Sequence, residues 1–121
     1  LASACSKDEN CDWNNDYLGG KTFKMTKLES NGTDITASAV LIDPCILSSI
    51  QFSSNGTYNQ INASGCNNTN TNGTWSIFNS PNILRIDNEP ANVNSFDCNQ
   101  FVASVYDQQN NVTLNITFTK Q

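Results

Sequence analysis

The sequence predicts an all-β fold, a sandwich or barrel whose strands follow one another as an antiparallel meander. Three observations carry this. Short apolar runs alternate with polar residues at period two, the pattern of half-buried strands. Turn signals rich in Asn, Gly and Ser separate the runs at nearly regular spacing, giving about eight strands, as in all-β sandwiches and barrels. The stretch from Cys45 to Ser76 then places two apolar runs around Asn55-Gly56, a tight-turn pair whose residues both tolerate positive φ. Closure into a barrel would leave no edge strand open to aggregation.

The elements follow in chain order. Phe23 and Met25 alternate with Lys24 and Thr26 as a first strand, and Asn31-Gly32 ends it in a turn. Asp34 to Leu41 fits either one or two helical turns capped by Asp34 or an irregular crossover. Pro44 closes that segment, because it pushes Asp43 away from helical angles. Ile50 and Phe52 lie on one face of the next strand, and Thr57 to Ile61 returns after the turn with weaker alternation. Residues 62–72 read as a loop pinned by Cys66. Trp75 and Ile77 then share a strand face, Asn79 to Asn82 turns the chain, and Leu84 and Ile86 oppose Arg85. Asn88 to Ser95 is the weakest segment, and Pro90 argues against a central strand there. Phe101, Ala103 and Val105 form another strand, and Gln108 to Asn110 a turn. The last strand is the clearest, with Val112, Leu114, Ile116 and Phe118 set against Thr113, Asn115, Thr117 and Thr119.

Residues 1–16 read as a signal-peptide remnant and a polar tether without a core face, and residues 17–121 as one domain. Asp8, Asn10 and Asp12 have the spacing that opens a calcium loop. Its sixth and twelfth positions are Trp13 and Gly19, not the Gly and acid required, so these side chains are expected to be solvated rather than metal-bound.

Composition excludes several functions. The chain of 121 residues carries 11 acidic and 6 basic residues, the latter scattered singly, so no basic patch exists for nucleic acid. Histidine is absent, which removes Ser-His-Asp and Cys-His catalysis and most zinc and haem sites. No phosphate-binding glycine loop occurs, and no pair of acids stands out for glycosidase-type chemistry. We expect no enzyme activity, no cofactor and no metal. No apolar run is long enough for a membrane-spanning helix. Five cysteines without metal-ligand spacing point to an oxidising compartment. The seven sequons at Asn31, Asn55, Asn62, Asn67, Asn72, Asn111 and Asn115 are no more than the abundance of Asn, Ser and Thr produces by chance.

Small residues run into Cys5, in Leu1-Ala2-Ser3-Ala4-Cys5, and polar residues follow it at once. This resembles the lipobox of bacterial lipoproteins, with Ala2 in place of the usual leucine, and implies lipidation of Cys5. An ordinary secreted N-terminus with Cys5 in a disulfide is the alternative. Further on come Gly20 to Phe23, Asp43-Pro44-Cys45, Phe52 to Tyr58, Cys66, Gly73-Thr74-Trp75-Ser76 and Ile116 to Lys120. In this order the pieces resemble the lipocalin-like domains of Bacteroidetes lipoproteins over roughly residues 17–120. Two departures are the spacing at Gly20-Lys21-Thr22-Phe23, with Phe for Trp, and the additional Cys11 and Cys98.

The resemblance implies a small eight-stranded up-and-down barrel at the outer membrane, in the periplasm or secreted. It also implies a Cys45–Cys66 disulfide, which leaves Cys11 to reach Cys98; four cysteines by themselves allow three pairings. Phe23, Phe52, Trp75, Phe101, Leu114, Ile116 and Phe118 either line a cavity for a small apolar ligand or fill it. Eight-stranded barrels permit both, and a chain with few long loops favours filling. The expected function is therefore non-enzymatic, through such a ligand or as an accessory subunit contacting a protein partner at the cell surface.

Overall fold

The computed structural model describes residues 11–121. Cys5, with its expected lipidation, and Asp8 and Asn10 lie outside the described residues. A short helix, α1 (Asn15–Leu18), is capped by Asn14, whose side chain accepts a hydrogen bond from the Asp16 amide. It leads into β1 (Thr22–Ser30) and the two-residue β2 (Thr33–Asp34). Helix α2 (Thr36–Ile42) and a 3-10 turn (Pro44–Leu47) carry the chain to β3 (Ser49–Phe52). Six more strands follow: β4 (Thr57–Ile61), β5 (Asn72–Phe78), β6 (Ile83–Ile86), β7 (Glu89–Phe96), β8 (Gln100–Asp107) and β9 (Val112–Lys120).

Each strand from β3 to β9 pairs with the next, β1 pairs with β3, and β9 returns to β1. All pairings are antiparallel. Because β2 is only a flap on the end of β1, eight strands close an up-and-down barrel. Closure leaves none of the eight as an edge strand, as the edge argument anticipates, although β7 and β8 are unpaired with each other before Asn92 and after Ser104.

Two bulges set which side chains enter the barrel. In β1 the register shifts between Met25 and Lys27, so Phe23, Met25 and then Leu28 are buried. In β7 a shift between Val93 and Ser95 takes the buried series from Val93 to Phe96. A bulge inserts one residue and changes the phase of the alternation. Asp34 acts on α2 from one residue before the helix N-cap position. Its Oδ1 accepts the Thr36 amide at 3.0 Å and the Thr36 hydroxyl at 2.7 Å, and these bonds hold its carboxyl below the usual range.

Two expectations need correction. Despite Pro90, the segment from Asn88 to Ser95 does enter a central strand: β7 pairs with β6 on one side and β8 on the other. Pro90 is tolerated for a geometric reason. Asp87 and Asn88, both at positive φ, make a two-residue turn closed by Ile86 and Glu89. Pairs alternate along an antiparallel ladder, so Pro90 faces Arg85 in a pair that exchanges no hydrogen bonds. Its missing N–H is directed towards β8, whose pairing with β7 reaches only Asn92↔Ser104.

The second correction concerns the tether. Residues 11–16 do have a core face, because Trp13 is buried with Tyr17 and Leu18 inside one end of the barrel. That end is closed. The Trp13 ring lies 5.3 Å from Phe101, Tyr17 stacks on Phe23 at 5.7 Å, and Phe52 meets Trp75 edge-on at 5.6 Å. The polar tips of these rings are satisfied by backbone. Trp75 Nε1 donates to the carbonyls of Ser53 and Thr57, and the Tyr17 hydroxyl lies 2.6 Å from the Asp97 carbonyl. Asn79 Nδ2 donates to the Trp13 carbonyl at 2.5 Å, and the Cys11–Cys98 disulfide ties the segment to the β7–β8 turn. The second disulfide, Cys45–Cys66, joins the 3-10 turn to the loop between β4 and β5.

Candidate functional site

At the opposite end the barrel is open. Strands β1, β4, β6 and β8 run towards it, and β3, β5, β7 and β9 start from it. Between β6, β7, β8 and β9 lies an open cavity of about 450 Å³. Its wall is apolar: Leu84 and Ile86 from β6, Pro90 and Ala91 from β7, Ala103 and Val105 from β8, and Ile116 and Phe118 from β9. Glu89 and Tyr106 complete it at the rim.

The size fits the range in which proteins hold small molecules, and such sites are mostly apolar with a few polar groups. Small residues create the space. Ala91 and Ala103 occupy inward positions on adjacent strands, paired with Leu84 and Ile116 and lining the cavity with Ile86 and Phe118. Phe118 forms the floor, stacked on Phe101 at 4.9 Å, so one ring belongs to the cavity and the other to the packed end.

The cavity also opens sideways. Strands β7 and β8 stop pairing at Asn92↔Ser104, yet β7 begins at Glu89 and β8 continues to Asp107. Beyond that pair no ladder joins the two strands. Pro90 and Tyr106, which alternate with the inward residues, therefore border the cavity beside the inward Ala91 and Val105.

Of the seven residues expected to line or fill the interior, Ile116 and Phe118 border the cavity. Phe23, Phe52, Trp75 and Phe101 are buried in the closed end. Leu114 is half-buried, opposite Val105 and Ser30. The barrel is thus packed in one half and hollow in the other. Trp75, one of those seven, is buried in the closed end and does not reach the cavity. The residues the sequence reading missed are the wall from β6 and β7 and the small Ala91 and Ala103. Their signal was the alternation Leu84-x-Ile86 and Ala103-x-Val105, which is visible but does not separate a lining side chain from a packing one.

The rim carries acidic groups. Asp87 accepts a hydrogen bond from the Tyr58 hydroxyl and another from the Thr74 amide at 3.0 Å. Burial and this bond push the Tyr58 hydroxyl up to about 12. Asp107 caps the β8–β9 turn through the Gln109 and Asn110 amides and the Asn110 side chain; the Asn110 bonds hold its carboxyl below the usual range. Gly73 faces Tyr58 across β4 and β5, and a Cβ there would meet the Asp87 carboxylate and the Tyr58 ring. The glycine lets the turn fold down against the sheet.

Among the described residues no group of three or more Cys, Asp or Glu is placed to hold a metal ion, and no helix is long and apolar enough to cross a membrane. Two disulfides mark a non-cytoplasmic, oxidising location. Outside the barrel, Leu41 and Ile42 on α2 are each 86% exposed. No family model matches the chain, and no curated protein aligns with it significantly.

Proposed function

We propose that this is a non-enzymatic protein of the cell envelope, secreted or lipid-anchored through Cys5, whose lipocalin-like barrel binds a small apolar ligand in the open half of its interior. The observation that carries this reading is the cavity of about 450 Å³, walled by aliphatic side chains and Phe118 and open at the rim. Filling such a space with a ligand removes apolar surface from water on both partners, at roughly 25 cal/mol per Å². The closed end supports the reading as well, because it holds the wall rigid beneath the cavity and reduces the ordering cost of binding.

The test is titration with a neutral, polarity-sensitive fluorophore. The expected result is saturable binding at one site, lost in Ala91→Trp, which fills the cavity from a half-buried position. Equal binding by both proteins, or by neither, overturns the reading. The anchor is checked separately by the intact mass of the protein isolated from its native cells: an acyl addition on Cys5 is expected, and an unmodified Cys5 leaves the secreted form.

A further inference from the structure

The rim of the cavity has a charge pattern that selects among apolar ligands. Glu89 stands at the first position of β7, paired with the inward Ile86 and in phase with the inward Ala91 and Val93. Its carboxylate forms no ion pair or hydrogen bond among the described residues. The other carboxylates of the rim, Asp87 and Asp107, sit on the two neighbouring turns and already accept hydrogen bonds.

Among the described residues no cation offsets them at the cavity. Lys27 is on β1 and pairs with Glu29 at 3.4 Å. Arg85 points to the outer face of β6, 5.3 Å from the Phe78 ring. Lys24 lies on the outer face of β1, and Lys21 and Lys120 are at the closed end, next to Leu18 and opposite Phe23. Tyr106 adds an aromatic ring to the same rim, its hydroxyl turned to Asn111.

We propose that the ligand is an amphiphile with an apolar body and a cationic, ammonium-type head, the body filling the cavity and the head held between the Glu89 carboxylate and the Tyr106 ring. This rests on the cavity being a binding site and names the class of molecule it takes. An ammonium gains a Coulombic partner and a ring face at the rim. A carboxylate head would meet three like charges and no donor of opposite sign, which disfavours fatty acids. A neutral head is accepted without gain.

Calorimetric titration with decylamine, decanol and decanoate at pH 7 and low salt tests the proposal. Decylammonium should bind about tenfold tighter than decanol, and decanoate more weakly than both. In Glu89→Gln, an exposed position where circular dichroism should show the fold retained, the amine should fall towards the affinity of decanol while decanol is unchanged. Raised salt should shrink the preference in the same direction. Ala91→Trp should abolish amine binding; amine bound equally by that variant marks non-specific attraction to an acidic protein and overturns the proposal. Decanol binding with no preference for the amine, or an amine affinity indifferent to Glu89→Gln, overturns the charge selection and leaves the cavity reading standing. No binding of any of the three overturns both.

Discussion

Asp87 holds the β6–β7 turn at positive φ, accepts the Thr74 amide and takes the Tyr58 hydroxyl proton into a hydrogen bond, all above a glycine that leaves room for it. The bond has a consequence for stability at high pH. Tyr58 titrates at about 12 in the folded chain against an ordinary 10.0, through burial first and the bond to Asp87 second. A raised folded value means its contribution is complete below pH 10 and is lost as pH climbs towards 12. Tyr17 is raised in the same sense by burial and then by the charge of Asp97. The wild-type denaturation midpoint should therefore fall between pH 10 and 12, and Tyr58→Phe should flatten part of that fall, the remainder belonging to Tyr17. An identical slope in the variant would show that Tyr58 is not protonated preferentially in the fold. Gly73-Thr74-Trp75 reads from sequence as a strand opening, but the need for glycine there comes from Asp87 and Tyr58, which belong to other elements.

Strand β7 was the least legible element, and its bulge explains why. Ala91, Val93 and Phe96 face inwards, but the shift between Val93 and Ser95 breaks their period-two spacing. A reading that expects strict alternation finds one branched residue and a proline. The proline is harmless because its nitrogen faces the gap beside β8. Pro90→Ala should then change the unfolding free energy by less than about 0.5 kcal/mol. Thr117→Pro should prevent folding or cost about 3 kcal/mol or more, since Thr117 is paired with Val102 on one side and Lys27 on the other. Urea unfolding of both variants checks the contrast, and equal effects would refute the unpaired geometry at Pro90. Strand β9, with no bulge recorded in its pairing to β8, was read directly for the same reason.

At the scale of the molecule, two disulfides fasten segments outside the strands: the N-terminal segment to the β7–β8 turn, and the 3-10 turn to the β4–β5 loop. Cys45–Cys66 closes a separation of 21 residues and Cys11–Cys98 one of 87. In the chain-entropy account, replacing the first pair by serines should cost about 3 kcal/mol and replacing the second about 4–5 kcal/mol. Denaturant titration of the two double variants gives the order, and a larger loss for Cys45–Cys66 would contradict it. Loss of Cys11–Cys98 should also loosen the plug, seen as a red shift of tryptophan emission, because Trp13 is held in the closed end by this segment.

Alternation of side chains and turn chemistry are local, so the chain announces an all-β meander, its main turns and its oxidising compartment without reference to any contact. Barrel closure is only suggested at that level, since it depends on β9 meeting β1. The role of Trp13 was hidden because one aromatic in a polar segment has no period, and only the space at the end of the barrel gives it a place. Whether Phe23, Phe101, Ile116 and Phe118 pack or line is likewise invisible in sequence, because all are inward-facing in alternating strands. The folded chain separates them by volume. Rings from α1, β1, β3, β5 and β8 crowd one end, while alanines at 91 and 103 leave the other unfilled. That difference is a sum over side chains distant in sequence, so it exists only once the strands are closed around it.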